Sequence, residues 1–118
     1  MAEETRLPPQ VQQRLLRLQQ LQQTLLDIVV RKQQLELELS EVEQALKELN
    51  ALSDDAPVYK SVGALLVRAD RSKLIEELNE RKEILNMRVS VLGKQEERIR
   101  SQMKELQEKL QKELGTRT

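Results

Sequence analysis

From Val11 onward the apolar residues recur at helical spacing: Val11, Leu15, Leu18, Leu21, Leu25 and Ile28, then Leu35, Leu39, Val42, Leu46 and Leu49. After Leu18 steps of three and four alternate up to Leu49, a heptad seam with one basic intruder at Lys32. Pro8 and Pro9 suit the first helical positions, where a missing N–H costs little. The spacing therefore predicts one helix over 8–52, stopped by the turn formers Ser53-Asp54-Asp55-Ala56-Pro57. A second seam runs through Leu78, Lys82, Leu85, Val89, Leu92, Glu96, Ile99, Met103, Leu106 and Leu110, predicting a helix over 71–114. Asp70 or Ser72 can cap it, Glu76 and Glu77 suit its N-terminal dipole, and Gly115 suits its end.

Between the seams, Val58 to Arg68 carries β-branched and apolar residues on both sides of Gly63, which predicts a β-hairpin within 57–68 turning at about Val62-Gly63. The two seams match each other. In an antiparallel fold Leu46 faces Leu78, Leu39 faces Leu85, Leu35 faces Val89, Leu25 faces Ile99 and Leu18 faces Leu106, every layer mirrored about Val62. Independent parallel coiled coils have no cause to show that mirror. The expected fold is dominated by α-helix: an antiparallel two-helix coiled coil with one β-hairpin at the helix connection. Helices of about 45 residues at about 1.5 Å per residue give an arm on the order of 65 Å. Beyond Leu18 the mirror fails, because the first seam steps three to Leu15 and the second steps four to Leu110.

A two-stranded hairpin is barely stable in water, and Leu65-Leu66-Val67 puts apolar side chains on both faces. Burial against other subunits resolves this, with the hairpin edges pairing into a larger intersubunit sheet or β-barrel. Val58, Tyr59, Val62, Leu65, Leu66 and Val67 are the expected oligomerisation residues, Tyr59 packing in the hairpin or between subunits.

Composition narrows the function classes. The 118 residues include no Phe, Trp, His or Cys, and 34% are charged against 38% apolar, the balance of long helices. Twenty acids offset twenty bases, so there is no basic field for nucleic acid. Without cysteine or histidine, thiol catalysis and Cys- or His-based metal sites are excluded. No segment has the roughly 18 uncharged apolar residues of a membrane span, and Met1 to Arg6 does not read as a signal peptide. A cytoplasmic protein is expected. The paired acids Glu41/Glu43, Glu76/Glu77 and Glu96/Glu97 read as solvated faces or intersubunit ion pairs, not carboxylate chemistry. No enzyme, metal or cofactor is expected.

At the open end, Leu7, Val11, Leu15, Leu16, Leu106, Leu110 and Leu114 exceed what two facing seams need, and they lie where the register breaks. They read as a surface that takes apolar segments of other polypeptides, against the plainer reading of seam residues in fraying helix ends. Lys32, Lys82 and Glu96 read as register-fixing interruptions with packed stems, Lys32 within reach of pairing with Glu96. Gly93 permits bending or close helix approach, or is merely tolerated.

The stretch Asp55-Ala56-Pro57-Val58-Tyr59-Lys60-Ser61-Val62-Gly63-Ala64-Leu65-Leu66-Val67 resembles the central hairpin of the prefoldin beta family. The Pro8 to Gln12 opening, the Gln-rich first helix and Gln95-Glu96-Glu97-Arg98 are similar to it as well. The resemblance implies an archaeal-type, ATP-independent holdase chaperone: a hexamer of two alpha and four beta subunits whose hairpins form a β-barrel platform. It further implies partners: the prefoldin alpha subunit, further beta copies, unfolded protein clients held at the coiled-coil tips, and a group II chaperonin that receives them. The alternative is a structural coiled-coil tether or adaptor that recognises one folded partner.

Overall fold

The computed structural model describes residues 7–115 as α1 (Pro9–Ala51), β1 (Val58–Val62), β2 (Leu65–Ala69) and α2 (Arg71–Gly115). The stretch from Met1 to Arg6, read above for targeting signals, lies outside the described residues. The chain has two long helices with an antiparallel hairpin between them, as the seams and the glycine-centred strand pattern require. Its packing divides into two compact units, one spanning Lys32–Ser90 and the other combining residues up to Arg31 with those from Val91 onward. We call these the hairpin unit and the terminal unit.

In the hairpin unit, Val42, Leu46 and Leu85 are buried, and Leu35, Leu39, Ile75 and Leu78 pack against them. This cluster holds both members of two mirrored layers, Leu46 with Leu78 and Leu39 with Leu85. Arg81 pairs with Glu38 along its edge, joining the two helices a second time. Lys32 and Lys82 are half-buried, with Lys32 Nζ 4.0 Å from Glu36.

The helix ends next to the hairpin are tied by one side chain. Leu52 N–H donates to the Leu49 carbonyl at 3.2 Å, tightening the last turn of α1, and Ala56 N–H donates to Ser53 O at 3.0 Å to close a turn over Asp54 and Asp55. Arg71, the first residue of α2, donates from Nε to the Leu49 carbonyl at 3.0 Å and from Nη1 to Asp54 at 3.1 Å. A guanidinium thus sits at the negative end of the α1 dipole. Asp70 caps α2, its Oδ1 accepting from Ser72 N at 3.1 Å and Ser72 Oγ at 3.0 Å. Glu76 and Glu77 lie past the first turn, which holds no acid, so Asp70 carries that role.

The strands pair antiparallel from Val58↔Ala69 to Val62↔Leu65, so the two-residue turn is Gly63-Ala64, one position later than expected at Val62-Gly63. Gly63 has φ +58°, and among the described residues no other has a positive φ. A positive φ at the first central position alone is the type II′ signature, which matches the twist of paired strands. The reason for the offset is the unequal connectors. Residues 52–57 separate α1 from β1, whereas only Asp70 separates β2 from α2. The fold point of the strands therefore need not coincide with the mirror axis of the helices at Val62.

In the terminal unit, α1 and α2 run antiparallel: Arg17 and Leu21 share a shallow groove with Gln102, Leu106 and Lys109, while Arg14 pairs with Glu113. Leu21 is buried at 2% exposure, and Leu18, Leu25, Ile28, Ile99, Met103 and Leu106 are half-buried around the seam. At the open end, where the register breaks, Val11 and Leu110 are buried. Pro9 is the first helical residue, and Gln12 serves the start of α1 twice, its N–H reaching Pro8 O at 3.0 Å and its Nε2 reaching Leu7 O at 2.7 Å. Glu96 is half-buried and accepts from Arg100 Nε at 3.1 Å. Gly93 does not serve close helix approach: a Cβ there meets nothing within 4 Å, and α2 passes through without a break.

Candidate functional site

Two surfaces carry the residues singled out from the sequence, one in each unit. The first is the β-hairpin. Alternation puts Val58, Lys60, Val62, Leu65, Val67 and Ala69 on one face, with Tyr59, Ser61, Leu66 and Arg68 on the other. The first face is turned toward the start of α2. There Val58 is buried, Ala69 is half-buried, and Lys60 Nζ lies 3.2 Å from Glu77. Between that face and α2 runs an open groove of about 290 Å³ lined by Val62, Val67, Lys73, Leu74 and Glu77 among others.

The rest of the hairpin is bare. Leu66 is 76% exposed and Leu65 67%, on opposite faces, and Val62 and Val67 are exposed as well. Tyr59 is not packed in a hairpin core: its ring is exposed, with the Arg68 guanidinium 6.0 Å from the centroid. Of the six residues expected to join subunits, only Val58 is buried within the chain. The strands leave their outer edges unpaired, since β1 and β2 form a two-stranded sheet. Apolar side chains thus stand uncovered on both faces of this two-stranded sheet.

The second surface is the open end of the terminal unit. The seven residues expected there separate into three groups. Leu16 and Leu114 are exposed, at 56% and 41%. Leu7, Leu15 and Leu106 are half-buried. Val11 and Leu110 are buried at 3% and 5%, so in the free chain they pack with the seam instead of facing solvent. Arg14 and Glu113, one helical turn beyond Val11 and Leu110 in their own helices, form an ion pair across the two. Their side chains are 23% and 27% exposed.

Sequence reasoning missed the ion pairs Arg14–Glu113, Arg81–Glu38 and Lys60–Glu77, and it missed the Arg71 tie. Arg71 had a signal: an arginine beside the N-cap of its own helix is unfavourable to that helix's dipole and implies a partner elsewhere. Among the described residues there is no group of His, Cys, Asp or Glu that could hold a metal ion, and no helix is long and apolar enough to cross a membrane.

Known proteins share this arrangement. Residues 12–117 match the family model for the prefoldin subunit. The prefoldin subunit beta of Methanothrix thermoacetophila is 49% identical over 109 residues, covering 92% of this chain and 91% of that protein. The prefoldin subunit beta of Archaeoglobus fulgidus is 46% identical over 105 residues, covering 89% of this chain and 90% of its own length. Among solved structures, the prefoldin beta subunit of Thermococcus strain KS-1 superposes with a TM-score of 0.86 at 42% identity, covering 92% of this chain and 96% of that one. The beta2 subunit of the same strain gives 0.69 at 26% identity, covering 76% and 96%. With its hairpin motif, its paired helices and these relatives in agreement over most of its length, the chain belongs to the prefoldin subunit family, as a subunit of the beta type.

Proposed function

We propose that this chain is a subunit of an ATP-independent holdase chaperone of the cytoplasm, joined to its partners through the hairpin and holding unfolded polypeptides at its open ends. The observation that carries the reading is the distribution of uncovered apolar side chains. Leu65, Leu66, Val62 and Val67 crowd the hairpin, while Leu16 and Leu114 stand out where both helices end. The first set belongs to permanent assembly, since free strand edges beside apolar faces invite strands from other subunits. In the proposed complex two alpha subunits and four beta copies close those strands into a barrel.

The open ends then act together. One pair of exposed leucines buries little area, at about 25 cal/mol per Å² of apolar surface removed from water. Several such ends on one platform raise the effective concentration of each for a client already held by another, so weak contacts suffice for capture and still permit release. Release delivers the client to a group II chaperonin. Nothing in this scheme consumes nucleotide, because capture and release are both changes in buried area.

The test is suppression of aggregation of unrelated denatured proteins by the assembled complex, without nucleotide. The reading expects suppression at near-stoichiometric complex for chemically dissimilar clients. Failure to suppress any of them, with tight binding of one folded partner instead, would establish the tether or adaptor in its place.

A further inference from the structure

We infer that Val11 and Leu110 are a concealed half of the capture surface, held shut by the Arg14–Glu113 ion pair and released when the last turns of the two helices part. The inference rests on the proposed function, and it begins from a mismatch. The open end is where the apolar content exceeds what the seam needs, yet its two most buried side chains are Val11 at 3% and Leu110 at 5% exposure. In a two-helix packing, burial that complete at a helix end requires the other helix as cover.

The ion pair supplies the closure. Arg14 lies one turn past Val11 along α1, and Glu113 one turn past Leu110 along α2. Because the helices are antiparallel, those turns run in opposite directions, and the Arg14–Glu113 contact joins the two helices one turn from Val11 in α1 and one turn from Leu110 in α2. Both side chains are mostly covered, which reduces screening of their attraction relative to a fully exposed pair. In sequence the bare side chains Leu114 and Leu16 follow the pair closely, one residue after Glu113 and two after Arg14.

Opening this end is a local event. Helix termini separate at far lower free energy than a whole domain unfolds, because only the last turns lose contacts. Once open, Val11 and Leu110 exchange cover by the opposite helix for cover by the client, so little apolar area stays in water. The observed affinity is then the intrinsic affinity reduced by the fraction of time the end is open. A client touching Leu16 and Leu114 is held at the same end of the helices as the ion pair that sets this fraction. The free chaperone keeps its most adhesive side chains from other chaperones and from folded proteins, whose surfaces offer no long apolar segment.

The experiment uses the full chain as wild type, Arg14→Gln, Glu113→Gln, and the charge-swapped double variant Arg14→Glu with Glu113→Arg. Two readouts are taken: fluorescence of the apolar dye 1-anilinonaphthalene-8-sulfonate, and affinity for reduced, carboxymethylated α-lactalbumin. Each single variant should bind more dye and hold the unfolded polypeptide on the order of two- to fivefold more tightly, the factor that the loss of a modest ion pair gives. The swapped pair should return both readouts toward wild type. Unchanged dye binding in the single variants would overturn the inference, and so would increased dye binding without a gain in affinity. If the wild type failed to hold the polypeptide at all, the proposed function would fall, while the dye response with its charge-swap reversal would still decide whether the end is latched.

Discussion

Replacing Leu85 with alanine removes the one large side chain that is essentially fully buried among the described residues, at 1% exposure, from the cluster it forms with Val42 and Leu46. Leucine-to-alanine changes in cores cost roughly 2.7–5 kcal/mol, the spread reflecting how far the site collapses around the cavity. A core only two helices thick lies close to solvent and relaxes easily, which sets the expectation near the lower bound, about 3 kcal/mol. Alanine's slightly better helix propensity returns only a small part of this. For a chain of this size about 1 kcal/mol moves the melting temperature by roughly 3–5 °C, so the expected fall is about 10 °C. The assay is thermal unfolding followed by far-ultraviolet circular dichroism at matched protomer concentration, because association shifts apparent stability. Leu37→Ala, at a position 63% exposed, is the control and should stay within about 0.5 kcal/mol of wild type. A fall in Leu85→Ala no larger than that of Leu37→Ala would refute the placement of the hairpin unit's core.

Two further substitutions separate the closed end's roles. Leu66→Asp puts a charge on a side chain that is 76% exposed in the single chain, so the protomer's helical content should be unaffected while the assembly dissociates in sedimentation velocity; an unchanged sedimentation profile would rule out assembly through the hairpin. Arg71→Ala should lower stability by about 2 kcal/mol, the scale of a hydrogen bond from a charged group to a helix's terminal carbonyl, read from the denaturant midpoint. Asp54→Ala, which removes only the 99% exposed partner, should leave that midpoint unchanged, and an equal loss in both variants would mean that the Leu49 carbonyl is not the contact that matters.

The helices and their pairing were legible because the information is periodic. Leu39, Leu46, Leu78 and Leu85 announce their layers by spacing alone, and the hairpin unit's core contains all four. The hairpin was legible from Gly63 and the apolar run after it, but its turn was misplaced by one residue: periodicity carries no information about connector lengths, and residues 52–57 and Asp70 are unequal. At the open end, composition revealed an excess of leucine without saying which side chains the opposite helix covers. Leu16 and Leu114 stay bare while Val11 and Leu110 do not, a distinction that depends on helix rotation. Ion pairs such as Arg14–Glu113 and Arg81–Glu38 were beyond reach for a related reason. In a chain with so many interleaved charges, each has several candidate partners until the helices are docked.

The central claim is that the hairpin assembles subunits while the open end captures clients, and deletion of residues 1–15 together with 107–118 tests it most directly. In the proposed complex with alpha subunits, the truncated chain should sediment as the intact assembly, allowing for the lost mass, and should no longer suppress aggregation of a denatured client. Dissociation of the truncated complex, or full suppression by it, would contradict the division of roles.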